Sequence, residues 1–202
     1  MRTHGIWAAS DEAQEVKRSE IYKEPSYVET VENRIYFYSE VYSENVLQLN
    51  RRLREVSHQL VTTATHQEHE PANIFLHVHS YGGSLLAGFA AMDEVLQCQV
   101  PVTTIIDGAA ASAASFITIA GKHRIIRPHA SVLIHQLSSI YWGKYSELKD
   151  EMKNLDMYMD MIKSVYKQYT NVPPEKLDEI LEHDIWFDAQ RALDLGIVDE
   201  IR

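Results

Sequence analysis

The stretch DGAAASAASFITIAG, residues 107–121, holds nothing larger than serine between Gly108 and Ser115, and bulk returns only at Phe116. A core normally fills such a place with branched side chains. The bareness therefore implies a close approach of backbone, either to a packed helix or to a bound chain. The run follows VPVTTIID (100–107), whose apolar and β-branched character reads as a strand, and it turns into a helix ending at Gly121. A serine in the first turn of a helix that follows a strand sits among unpaired N–H groups, at the positive end of the helix dipole. Ser112 holds that place, and the N–H of Ala113 would point at an oxyanion formed there. Ser115 lies nearly one turn further on, where its N–H is used within the helix and its side chain is expected to pack. Close packing of small residues explains the same alanines without chemistry, so both readings stand on these residues alone.

Outward from this junction the chain alternates. RIYFYSEV (34–41) reads as a strand. Ser43 follows as a candidate N-cap, and Val46, Leu49, Leu53, Val56 and Leu60 form one apolar stripe on a helix expected to end near Val61. TTATHQEHEPA (62–72) has no period and reads as an exposed loop. NIFLHVH (73–79) suits a sheet strand, and a glycine turn at 82–83 leads into a helix through SLLAGFAAMDEVLQ. Strand, helix, strand, helix, strand, helix predicts βαβ units and an α/β fold with a mostly parallel sheet. In such sheets sites gather where strands end and helices begin, and both glycine turns, 82–83 and 108, fall there.

RIIRP and SVLIH add short strands. The longest helix spans Tyr145 to Tyr169, with Leu148, Met152, Leu155, Met159, Ile162, Tyr166 and Tyr169 on one seam suited to another helix, of this chain or of another subunit. Near the end, Asp188 is a candidate N-cap and Gly196 a helix stop.

Composition bounds the function. With 202 residues, 45 % of them hydrophobic and 24 % charged, the chain suits one ordinary globular domain. Its net charge of −10 is spread without a basic run, which disfavours nucleic acid and anionic lipid as partners. No apolar run approaches the ~18 residues of a membrane span. Cys98 is the single cysteine, so no disulfide forms within the chain, and the first twenty residues lack the apolar core of a secretory signal. A cytoplasmic protein is expected, with an organellar or viral source left open. His77 with His79 on one strand face, and His66 with His69 nearby, are the histidine pairs nearest to a metal site. Neither has further ligands at suitable spacing, so no metal is expected.

A nucleophilic serine needs a base, and the base needs an orienting group. Ten histidines make coincidences easy. His135 ends SVLIH, and Asp184 precedes the aromatic pair Trp186 and Phe187. Four segments in order, HSYGGSLLAG, GAAASAASF, SVLIHQ and HDIWFDAQRALDLGIVDEI, together resemble the proteolytic subunit family of the Clp protease over roughly residues 33–201. The resemblance implies Ser112 as nucleophile, His135 as general base and Asp184 as its orienting acid. It implies the N–H groups of Gly83 and Ala113 as the oxyanion hole. It also implies a crotonase-like fold of stacked ββα units with a protruding strand-helix handle at about 138–169.

By the same resemblance the domain runs from 33 to 202, after a leader and N-terminal axial segment (1–32). The chain would be a homo-oligomer of two stacked seven-membered rings that cleaves unfolded polypeptides. It would use no cofactor of its own. With no GxxxxGK[ST] phosphate loop in the sequence, ATP would be used by a separate AAA+ unfoldase. The chain departs from the family pattern where the turn reads HSYGG rather than NSPGG, putting Tyr81 in place of proline. Leu137 stands where proline follows His-Gln, and His183 where arginine is common. Two other functions fit part of the pattern: a crotonase-like enzyme acting on an acyl-CoA thioester, and a non-enzymatic ring subunit. Retention of all three triad residues weighs against both.

Overall fold

The computed structural model describes residues 27–202. The expectations for residues 1–26 of the leader and axial segment lie outside the described residues. Among the described residues seven strands form one sheet: β1 (Tyr27–Val31), β2 (Arg34–Tyr38), β3 (Ile74–Ser80), β4 (Val102–Ala111), β5 (His123–Ile126), β6 (Ser131–Leu133) and β7 (Glu200–Ile201). Their order is β1-β2-β3-β4-β5-β7, and β6 pairs with β4 at Ala109–Ala111, past the four β4 residues that pair with β5. Every pairing is parallel except that of β1 with β2. Residues 27–31, placed by sequence with the N-terminal segment, thus extend the sheet by an antiparallel strand. The helices are α1 (Ser43–Gln67), α2 (Leu85–Leu96), α3 (Ala113–Ile119), α4 (Tyr145–Tyr169), α5 (Pro174–Leu181) and α6 (Ala189–Asp194).

Alternation along β2 and β3 sorts the side chains. Ile35, Phe37, Leu76 and Val78 are fully buried in the core, where Val46, Leu49, Leu53 and Val56 of α1 and Ala87, Ala91 and Met92 of α2 join them. Helix α1 differs from its sequence reading at both ends. Tyr42, not Ser43, occupies the N-cap, and the helix continues past Val61 to Gln67. Thr62 and Thr65 give their hydroxyl protons to the carbonyls of His58 and Val61, each at 2.8 Å, so their side chains are satisfied without leaving the helix. Ala64 is buried against the core, and Glu68 ends the helix in the left-handed region at φ 57°.

Strand β4 also runs further than its apolar residues indicate. The small-residue segment continues it to Ala111, and α3 begins only at Ala113. Val78 pairs with Ile106 and Ser80 with Ala110, so His79 alone stands opposite Asp107, Gly108 and Ala109. This bulge turns the Ala109 N–H onto His79 Nδ1 at 3.1 Å.

Beside the bulge, the sheet face away from the core carries a polar cluster. Asp107 accepts from the Tyr38 hydroxyl at 2.6 Å, His77 Nδ1 at 2.8 Å and Arg127 Nε at 3.2 Å. Arg34, which can only donate, meets His77 Nε2 at 3.0 Å, and His77 Nδ1 is turned to Asp107. Both ring nitrogens of His77 are thereby engaged. Tyr36 stacks on the same ring, with centroids 4.6 Å apart.

Helix α4 forms the expected projection. Only Ile162 and Tyr166 near its C-terminal end are buried, while Tyr145, Leu148, Met152, Met157 and Met161 are exposed.

Burial pushes the Asp107 carboxyl up, but hydrogen bonds from His77 and Tyr38, with Arg127 beside them, outweigh it and hold the group below the usual carboxylate range. A lowered folded-state value adds stability above about pH 4, which disappears as pH falls through that value. Asp107→Asn should therefore lower unfolding free energy at pH 7 by about 1–3 kcal/mol. The gap between variant and parent should narrow below about pH 4, as calorimetric melting across pH will register.

Candidate active site

Ser112 sits between β4 and α3 with φ 53° and ψ −126°, a conformation that costs a non-glycine residue about 1–3 kcal/mol. Three hydrogen bonds hold it there. Its N–H donates to Leu133 O of β6 at 2.8 Å, and its carbonyl accepts from the Ser115 N–H at 2.9 Å and the Ser115 hydroxyl at 2.6 Å. With that proton committed, Ser115 Oγ accepts from the Tyr166 hydroxyl, 2.7 Å away and fully buried. Ser115 is thus a packed support, as its place in the helix implied. The Ser112 side chain makes no capping bond and is left free at a sharp strand-to-helix turn.

Both explanations of the alanine run hold. A Cβ added at Gly88 of α2 would lie 2.9 Å from the Ala113 carbonyl and 3.1 Å from its Cβ, so the two helices touch backbone to backbone. The other side of the junction opens on a cavity of about 210 Å³, lined in part by Gly83, Ser112, Ala113, Phe116, His135 and Leu137.

His135 follows β6, whose pairing with the end of β4 carries it to the same cavity as Ser112. Its Nδ1 lies 3.1 Å from Asp184 Oδ1. The imidazole is mostly buried at 23 % exposure, whereas the carboxylate is 78 % exposed. Asp184 belongs to the irregular segment between α5 and α6, tied at Phe187 by two backbone bonds to Val132 of β6, at 2.7 and 2.9 Å. The Asp184 contact is made through Nδ1, and Nε2 is in no hydrogen bond among the described residues. Ser112 Oγ has no hydrogen bond to that imidazole among the described residues, a looseness common in unliganded sites.

Gly83 and Ala113 line the same cavity, and the N–H of neither has an acceptor among the described residues. Ala113 is the first residue of α3, where no intrahelical partner exists. Gly83 has φ +148°, and a Cβ there would stand 2.6 Å from the Val41 carbonyl, so the turn requires glycine. A larger cavity of about 550 Å³ lies beside Lys176, His183, Trp186 and Arg191, but it contains neither the serine nor the histidine.

The three departures in sequence take specific places. Leu137 has the N–H that a proline would lack, and donates it to Met159 Sδ of α4 at 3.4 Å. His183 borders the larger cavity. Tyr81 packs edge-on against both His79 and Trp186. The Tyr166–Ser115 support was not anticipated; its one sequence signal is a tyrosine on the apolar seam of α4, where a hydroxyl needs a buried partner.

Comparison with known proteins bears on the family and extends over most of the chain. A family model described as Clp protease matches residues 29–202. The ATP-dependent Clp protease proteolytic subunit of Adiantum capillus-veneris is 37 % identical over 169 residues, covering 80 % of this chain and 84 % of that one. The protein of the same description from Pinus thunbergii is 35 % identical over 171 residues, covering 81 % and 87 %. Among solved structures, a ClpP1 mutant from Listeria monocytogenes shares the fold with a TM-score of 0.73 and 22 % identity, over 84 % of this chain and 91 % of that one. Matched along nearly all of its described length, and bearing the four motifs in order, the chain belongs to the Clp protease family.

Proposed function

We propose that this chain is the serine endopeptidase subunit of a Clp-type protease, with Ser112 as nucleophile, His135 as general base and Asp184 as the acid that orients it. The observation that carries the reading is the convergence of a strained, uncapped serine, a carboxylate-paired imidazole and two unpaired N–H groups on one cavity. Ser112 Oγ attacks a peptide carbonyl while His135 Nε2 takes its proton. Asp184 holds the Nδ1 proton and stabilises the imidazolium. The new oxyanion accepts from the N–H groups of Gly83 and Ala113. Collapse of the tetrahedral intermediate returns the proton from His135 to the departing amine. Water, deprotonated by the same imidazole, then hydrolyses the ester and frees Ser112.

Family membership supports the rest of the proposal. Two stacked seven-membered rings would enclose the sites, with the α4 projection as the handle joining them. Unfolded polypeptides would be delivered by a separate AAA+ unfoldase that spends the ATP, in the cytoplasm or an organellar matrix. The substrate would lie as an added strand held through its main chain, giving weak sequence selectivity. The peptidase chemistry requires no cofactor or metal.

Three variants test the chemistry on a short fluorogenic peptide. Ser112→Ala should abolish both hydrolysis and labelling by a fluorophosphonate while leaving assembly intact; labelling that persists in this variant rules Ser112 out. Asp184→Asn should lower kcat by about 10⁴-fold, because the amide can hold the wrong imidazole tautomer. Gly83→Ala should lower kcat by about 10²–10³-fold through displacement of one oxyanion donor, a loss that KM will not share.

A further inference from the structure

Asp184 poses a mechanical problem. A carboxylate that is 78 % exposed gains little from its ion pair in water, so the 3.1 Å contact with His135 does not hold the acid in place by itself. Its position must come from the backbone that carries it. That backbone is tied on either side: Gln136 N–H donates to Leu181 O at 2.7 Å, and Phe187 exchanges two bonds with Val132. Between these ties, Ile185 is 59 % exposed; Glu182 and His183 donate back to the Asp178 and Ile180 carbonyls at 3.1 and 3.4 Å, and residues 184–186 make no further backbone bond among the described residues.

One side chain in the interval has an aromatic partner. The Trp186 ring meets Tyr81 edge to face, with centroids 6.2 Å apart and planes at 79°. Tyr81 does not float, because its other edge packs on His79 at 5.7 Å and 74°. His79 in turn accepts the Ala109 N–H at the β4 bulge and packs against Tyr38 at 5.5 Å. The series runs from the bulge through His79, Tyr81 and Trp186 to a point two residues from Asp184. Tyr81 also immediately precedes Gly82 and Gly83, so one contact fastens the acid-bearing segment to the turn that carries a proposed oxyanion donor.

We propose that Tyr81 and Trp186 form an aromatic clamp that positions Asp184 against His135, making both of them positioning residues for the peptidase reaction. The inference rests on the triad reading above. Tyr81 does not line the cavity beside Ser112, so the clamp acts on turnover rather than on binding of a short substrate. The Tyr81 hydroxyl is in no hydrogen bond among the described residues, so the ring alone does the work.

The test has a catalytic arm and an arm independent of catalysis. Tyr81→Ala and Trp186→Ala should each lower kcat on a short peptide about 10- to 100-fold, the scale of a small misplacement of a catalytic group, with KM changed little. Tyr81→Phe should restore the parent rate, and the double variant should be no slower than either single one. Added to Asp184→Asn, Tyr81→Ala should leave the rate of Ser112 labelling by fluorophosphonate unchanged. Hydrogen exchange followed by mass spectrometry should show faster exchange in residues 183–186 of both alanine variants, with the α1 and β3 peptides unaltered. Both rings are substantially exposed, so loss of fold is not expected, and Tyr81→Leu provides a variant that retains apolar bulk.

Unchanged kcat with unchanged exchange overturns the clamp. So do additive losses in the double variant, or a further loss in the Asp184→Asn background, which would assign Tyr81 to the oxyanion turn instead. If the parent protein shows no Ser112-dependent hydrolysis, the triad reading fails by itself, and the exchange measurement still decides whether Tyr81 restrains the segment.

Discussion

The site depends on one backbone conformation, the positive φ of Ser112. A serine there is unfavourable unless its surroundings over-determine it, and they do so from three directions. Leu133 of β6 accepts its N–H, Ser115 donates twice to its carbonyl, and Tyr166 holds Ser115 from α4. Burial pushes the Tyr166 phenol well above its ordinary value, so it remains a neutral donor throughout the working pH range. The strand that precedes the serine, the strand beside it and the long helix are all needed to keep one residue in a poor conformation. In return, its hydroxyl stands clear of the helix it begins.

The alanines follow from the same constraint. At Ala111 and Ala113 the chain reverses within a residue, while α2 brings Gly88 against the start of α3 and β3 brings Gly82 and Gly83 to the other side. Three backbones meet where a core would ordinarily place three side chains. Small residues are the packing solution at this crossing, and the cavity beside Ser112 is what the crossing leaves open. Packing and chemistry are therefore not rival explanations of the run.

What could be read from sequence was local. The strand-to-helix junction, the place of Ser115, the extent of α4 and the Asp188 cap all follow from periodicity and terminus chemistry within a few residues. What could not be read depends on partners distant in the chain. The bulge exists because His79 opposes three residues of β4, and nothing in IIDGA alone specifies that register. The extra turns of α1 include a buried Ala64 and threonine hydroxyls bonded back to helix carbonyls, in a stretch that reads as polar loop. The antiparallel β1 is short and carries Glu29 and Thr30 among its five residues, too weak a pattern to distinguish from leader without β2 beside it. The proposed triad came from the agreement of four motifs in order; among ten histidines, no spacing singles out His135.

The three groups of the proposed triad are held with unequal firmness, and the inequality follows from the fold. Ser112 and His135 are fixed by neighbouring strands, since β6 both accepts the Ser112 N–H and leads directly to the imidazole. Serine and base therefore move together with the sheet. Asp184 arrives from a segment outside the sheet, anchored at Phe187 and otherwise exposed. On the proposed mechanism, a displacement of that segment would leave Ser112 and His135 where they are but remove the carboxylate that selects the imidazole tautomer. On that reading, activity would be most sensitive to restraint of the most weakly held member, and the side chains that matter for rate would extend past those that touch substrate to those that keep residues 182–187 against the sheet.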